Sequence, residues 1–186
     1  NADFKYIRYY EPSKPYLQYM NTPEKGGIMK EIRRSFENGS LPEAGVRLMA
    51  ASKPVDELYD LQSDPKELNN IALDTSYNAV LVEMREAHKA WGLRVRDAGL
   101  IPEPILRSWE SAYQKSVYDI LREEDVSIEA IQAAALSDDL MVLSYGLSSS
   151  NEAIRYWSAI NIGDNPEWRN NELVDKLRNG LSDSEA

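Results

Sequence analysis

Glu57-Leu58-Tyr59-Asp60-Leu61-Gln62-Ser63-Asp64-Pro65-Lys66-Glu67-Leu68-Asn69-Asn70 is the stretch whose reading decides the fold. Its first five residues alternate apolar and polar side chains, with Leu58 and Leu61 bracketing an aromatic, and predict a short strand. The remainder predicts a helix start. Asp64 suits an N-cap, Pro65 suits the first helical position because its missing N–H would be unpaired there anyway, and Glu67 falls where it can reach back to the cap.

A strand needs a partner, and residues 4–10 supply one. Phe4, Tyr6, Arg8 and Tyr10 alternate with Lys5, Ile7 and Tyr9 in a run rich in β-formers, ended by Pro12 and Pro15. Residues 16–56 form a long excursion between the two strands. Within it, Ile32 and Phe36 lie four apart and predict a short helix over 30–36 ending at Asn38-Gly39, and 42–51 is a second candidate. Two strands alone are marginal and require something over their apolar face.

Downstream the pattern is helical. Asp74 can cap a helix in which Tyr77, Val80, Leu81, Met84, Trp91 and Val95 form one apolar stripe, stopped by Gly99 and the Pro102/Pro104 pair. A further helix is expected over 106–121, with Leu106, Trp109, Tyr113, Val117 and Ile120 on one face. Short helices are expected at 128–136, 139–147, 152–162 and 171–181, with Ser127, Asp138 and Asn151 as caps. Gly146-Leu147-Ser148-Ser149-Ser150-Asn151-Glu152-Ala153 recurs as Gly180-Leu181-Ser182-Asp183-Ser184-Glu185-Ala186, a period of about 34 residues that fits a helical-hairpin solenoid. The fold class expected is therefore mainly α with a small antiparallel β-pair, and helical-hairpin repeats in the C-terminal half.

Three of these segments carry a family resemblance. Lys53-Pro54-Val55-Asp56-Glu57-Leu58-Tyr59-Asp60-Leu61 followed by Ser63-Asp64-Pro65-Lys66-Glu67-Leu68-Asn69-Asn70 resembles the closing segment of type I sulfatases, the calcium-dependent sulfate ester hydrolases, with its E-L-Y-D-L strand and D-P-x-E-x-x-N turn. Phe4-Lys5-Tyr6-Ile7-Arg8-Tyr9-Tyr10 resembles the family's Y-K-Y-I strand. Ala153-Ile154-Arg155-Tyr156-Trp157-Ser158-Ala159 is similar to the V-R-Y-W-A-A helix of the HEAT-like repeats that follow the catalytic domain in some bacterial sulfatases. The resemblance divides the chain into 3–101, a sulfatase C-terminal subdomain, and 102–186, a HEAT-like segment cut short. Asn1-Ala2 resembles the scar of a cleaved purification tag, and residues 180–186 stop inside a repeat, so a piece of a longer protein is expected.

The resemblance brings no catalytic residue. A type I sulfatase needs C/S-x-P-x-R, whose Cys or Ser becomes formylglycine beside a calcium ion. Here cysteine is absent, and Ser13-Lys14-Pro15 and Ser52-Lys53-Pro54 have Leu17 and Asp56 where Arg is required. Calcium and formylglycine are therefore implied for the parent, not for this chain. His88 is the sole histidine, which excludes multi-histidine metal sites, and it is expected to pack on or beside the apolar stripe. Asp60, Asp64 and the Glu123-Glu124-Asp125 run lack calcium-loop spacing, and Gly26-Gly27 lacks the context of a phosphate loop.

Composition bounds the partners. A net charge of −10 over 186 residues opposes nucleic-acid binding, which needs a basic face, and no apolar run is long enough to span a membrane. Lys30, Arg33 and Arg34, on one helical face, are the candidate contacts to a sulfated carbohydrate, since guanidinium groups match sulfate geometry; the alternative is a solvated face. Tyr6, Tyr9, Tyr10, Tyr16 and Tyr19 are expected to pack on the parent's catalytic domain, and to leave an apolar patch that promotes self-association when the chain stands alone. Two functions follow: a non-catalytic part that braces a sulfatase and shapes substrate access, periplasmic or extracellular by resemblance, or a free-standing helical-repeat interaction module.

Overall fold

The computed structural model describes residues 3–124, 126–168 and 171–180. Among them lie ten α-helices and one two-stranded antiparallel sheet, so the chain is mainly α with a small β-pair, as its sequence predicts. It separates into two compact units, 1–85 and 86–186.

In the first unit, β1 (Phe4–Arg8) pairs with β2 (Asp56–Asp60) in the register Phe4↔Asp60, Tyr6↔Leu58, Arg8↔Asp56. The excursion between them folds into α1 (Asn21–Lys25), α2 (Gly27–Glu37) and α3 (Glu43–Leu48). The helix expected over 30–36 is thus the C-terminal part of α2, which stops at Asn38 with Gly39 at φ 71°, a backbone state that glycine adopts without strain. Asp74 caps a short 3₁₀ turn (Thr75–Tyr77) through Ser76 N–H at 2.9 Å, and this turn leads into α4 (Asn78–Val95).

The helix start expected at Asp64-Pro65-Glu67 does not form. Glu67 takes φ 56°, in the left-handed region, so the chain turns where a helix would propagate. Asp64 still acts as a cap of sorts: its carboxylate accepts the Asn69 N–H at 2.7 Å and closes the turn. The apolar stripe on α4 is buried only in part, with Leu81 in the core and Trp91 and Val95 exposed.

In the second unit, the single helix expected over 106–121 is two: α5 (Glu103–Tyr113) and α6 (Val117–Glu123). Gln114 adopts φ 53° and ends α5, and Ser116 restarts the helix by accepting the Asp119 N–H at 3.2 Å. Next come α7 (Ile128–Leu136), α8 (Leu140–Gly146), α9 (Glu152–Asp164) and α10 (Asn171–Gly180). Ser127 and Asn151 cap α7 and α9 as expected, but Asp139, not Asp138, caps α8, accepting the Met141 N–H at 2.8 Å.

Helix α9 packs on α7 and α8. Trp157 on it is buried and donates its indole N–H to the Leu100 carbonyl at 2.6 Å, and Asn161 donates to the Ala134 carbonyl at 2.9 Å. Leu143 of α8, Ile162 of α9 and Leu173 of α10 form one apolar cluster. The second copy of the glycine-leucine repeat, after Gly180, lies outside the described residues.

Candidate functional site

Adjacent carboxylates on β2 are the chemical centre of the first unit. Asp56 is 7% and Glu57 3% exposed, beside Leu58 at 0% and Tyr59 at 2%. An alternating strand with one polar face would leave every second residue wet, yet here all four are buried. Neighbouring residues of a strand project to opposite faces, so the two carboxylates serve two separate networks, one on each side of the sheet.

On one face, Asp56 gathers cations and a phenol. The Tyr6 hydroxyl donates to Oδ1 at 2.6 Å and Arg8 Nη1 donates to the same oxygen at 3.2 Å. From α4, Arg85 donates both Nε, at 3.1 Å, and Nη2 to Oδ2. Burial pushes the Asp56 carboxyl up, but the hydrogen bonds of Tyr6 and Arg85 and the charge of Arg8 outweigh it and hold the group below the ordinary carboxylate range. Burial first, then the bond to Asp56, raises the Tyr6 phenol well above its usual value.

On the other face, Glu57 is held by phenols. Tyr9 donates to Oε2 at 3.1 Å and Tyr16 donates to Oε1. Burial and then the Glu57 charge push Tyr9 and Tyr59 up to about 12, and Tyr16 also lies well above its usual value, by burial and its bond to Glu57. Arg47 sits over the Tyr59 ring at 5.8 Å and donates to the carbonyls of Glu67 and Leu68, each at 2.9 Å, which ties this face to the turn after β2. Lys53 lies over the Tyr9 ring at 4.9 Å.

This chemistry is a clamp. Proton-transfer catalysis wants a group poised near neutral pH, whereas Asp56 moves down and the tyrosines move up, each away from it. Each charge is fixed by partners that lie far off in sequence, so the network locks β1, the excursion, β2 and α4 together.

Asn70 completes it from the outside. Its side-chain oxygen accepts the Leu58 N–H at 2.9 Å and the Ala72 N–H at 3.0 Å, and its NH₂ donates to the Asp56 carbonyl at 3.1 Å. This is the asparagine of D-P-x-E-x-x-N, and its task is to finish the free edge of β2. Sequence reasoning misses Asp56, Glu57 and Asn70 as a site. The signal available was three acidic residues in D-E-L-Y-D set against the tyrosines of F-K-Y-I-R-Y-Y.

The candidate sulfate-binding cations do not stand free together. On α2, Lys30 is exposed, Arg33 forms a fork with Glu24 of α1, and Arg34 a fork with Glu31, donating Nε at 2.9 Å. Asp60 accepts the Gln62 N–H at 3.0 Å, as a turn residue does, and Lys115 pairs with Glu123 and Glu124. His88 is half-buried on α4. Tyr6, Tyr9, Tyr10 and Tyr16 are half-buried, while Tyr19 is 76% exposed. Among the described residues no three His, Cys, Asp or Glu side chains are grouped to hold a metal. No helix among them is long and apolar enough to cross a membrane.

Over 103 residues the chain is 36% identical to an "Ulvan-active sulfatase" of Formosa agariphila. Those residues are 55% of this chain and 17% of that protein, so the chain matches about a sixth of its relative's length and carries a sulfatase-related region. No family profile matches the chain, and no solved structure matches it.

Proposed function

We propose that the chain is a non-catalytic, C-terminal part of a type I sulfatase, which braces the catalytic domain and shapes access to it, and that residues 102–186 begin a HEAT-like array. The observation that carries this reading is the 36% identity to the ulvan-active sulfatase. The strand of type E-L-Y-D-L and the turn asparagine support it, because their side chains are committed to holding the β-pair. The parent uses formylglycine and calcium from outside this chain, and acts on a sulfated carbohydrate in the periplasm or outside the cell.

In this reading Lys30, Arg33 and Arg34 lie at the rim of the parent's site, where sulfate would compete with Glu24 and Glu31 for the two guanidinium forks. The test is an assay of the gene product that contains this chain. It should release sulfate from a small aryl sulfate and carry C/S-x-P-x-R outside the 186-residue segment, while that segment alone has no turnover. Arg33→Ala with Arg34→Ala should slow only polyanionic substrates; equal loss on the aryl sulfate removes the arginines from the rim. A gene product without the motif leaves the chain as a helical-repeat interaction module.

A further inference from the structure

The C-terminal end of α2 holds a small reactive centre. Asn38, Gly39 and Ser40 follow its last residue, Glu37, and all three are exposed. The Asn38 Oδ1 accepts two hydrogen bonds from one residue: the Ser40 N–H at 3.0 Å and the Ser40 hydroxyl at 2.6 Å. Donors on a carbonyl oxygen draw electrons from its carbon, and they bind that oxygen more strongly once it carries negative charge. The Asn38 amide is thus primed for attack at Cγ.

A nucleophile stands next to it. Gly39 has no side chain to shield its nitrogen, and a Cβ built there would meet nothing within 4 Å. Its N–H is held by the Phe36 carbonyl at 3.1 Å, so attack requires the last turn of α2 to fray, which an exposed helix end does at small cost. The Ser40 donors lie only two residues from Asn38 and follow it as the turn opens.

We propose that Asn38 is a self-modification site, where the Gly39 nitrogen displaces ammonia from the side chain and Ser40 supplies the oxyanion donors. Solvent base removes the Gly39 N–H proton, and the nitrogen forms a bond to Cγ. Charge gathers on Oδ1, under the Ser40 N–H and hydroxyl. Collapse breaks the Cγ–Nδ2 bond, and that nitrogen departs as ammonia with a proton from water. Water then opens the cyclic imide at either carbonyl and leaves aspartate or isoaspartate, with no oxidant, reductant or metal required. The proposal stands apart from the sulfatase reading, since it uses this turn alone.

The product puts a carboxylate beside Glu37 at the C-terminal end of α2, where the helix dipole disfavours negative charge. Isoaspartate also lengthens the main chain, and so draws the Ser40 and Leu41 N–H groups away from the Ser35 carbonyl that holds them at 2.9 and 3.0 Å. Lys30, Arg33 and Arg34 ride on this helix, so the ageing of its end is an ageing of that cationic face.

Peptide mapping by mass spectrometry, on the purified chain held in mildly alkaline heavy-oxygen water, tests this. The Asn38 peptide, resolved from that of Asn179-Gly180, should lose ammonia, take up solvent oxygen and split into aspartate and isoaspartate forms. Ser40→Ala should slow the conversion about two- to tenfold, the worth of one hydrogen bond, while Ser40→Thr keeps most of the rate. An Asn38 that persists in the folded chain overturns the proposal, and its conversion in denaturant would then show that the helix end protects it. A product free of isoaspartate overturns it too, because that means direct hydrolysis without the imide. So does a rate unchanged or raised in Ser40→Ala, since the hydroxyl then contributes nothing to the reaction.

Discussion

The Asn70 side chain bonds both the Asp56 carbonyl, at 3.1 Å, and the Leu58 N–H, at 2.9 Å, and so replaces a strand along the edge of β2. Asn70→Ala strands the Leu58 amide inside the protein and should cost about 1–3 kcal/mol in chemical denaturation. Asn70→Asp keeps the acceptor, loses the donor and should fall between. A loss below about 0.5 kcal/mol for the alanine variant would show that water completes this edge equally well.

Acid should loosen the first unit through Asp56. Its folded pKa lies below the unfolded value of about 3.9, so its contribution is present above that pH and is lost as pH falls through the folded value. Denaturation midpoints followed downward from about pH 6 should show this decline, and Asp56→Asn should flatten it. An acid limb unchanged by Asp56→Asn would place the acid sensitivity elsewhere.

Alkali acts through the tyrosines with the opposite sign. Tyr9 and Tyr59 ionise at about 12 when folded, above the ordinary value near 10. Their contribution is complete below that ordinary value and disappears as pH rises through the folded one. Ultraviolet titration should find these phenols ionising late. Glu57→Gln removes a negative charge beside Tyr9 and Tyr16 and should bring their ionisation earlier; an identical titration curve would mean that burial alone sets the shift.

In the second unit, a methyl group at Gly146 would fall 2.0 Å from Ser158 Oγ and 3.1 Å from its Cβ. Gly146→Ala should therefore cost about 1–3 kcal/mol by overpacking α8 on α9. The Ser158 hydroxyl is buried without a hydrogen-bond partner among the described residues, so Ser158→Ala alone should be neutral or mildly stabilising. Combining Gly146→Ala with Ser158→Ala should recover part of the cost. Strict additivity would contradict this contact as its source.

What the sequence discloses divides along local and non-local lines. Helices α7 and α9 are legible because Ser127 and Asn151 cap them through their own neighbours two or three residues on. The break at Gln114 is hidden, since a residue other than glycine takes the left-handed conformation and no proline announces it. The same holds at Glu67, where good local grammar for a helix loses to a turn secured by Arg47 and by Lys5. The buried pair Asp56 and Glu57 is the hardest to foresee. Charged residues in an alternating strand normally mark its wet side, and only partners 50 and 48 positions earlier reverse that expectation.

The Tyr9 to Glu57 contact spans 48 positions, and this separation has a meaning during synthesis. At about 5–20 residues per second, roughly 2–10 s pass between the emergence of β1 and that of its partner. Throughout that interval an aromatic, β-prone heptapeptide, residues 4–10, waits for β2. The tight clamp of the finished protein is thus also a waiting time on the ribosome, and the step at which translation speed and chaperone supply bear most directly on yield.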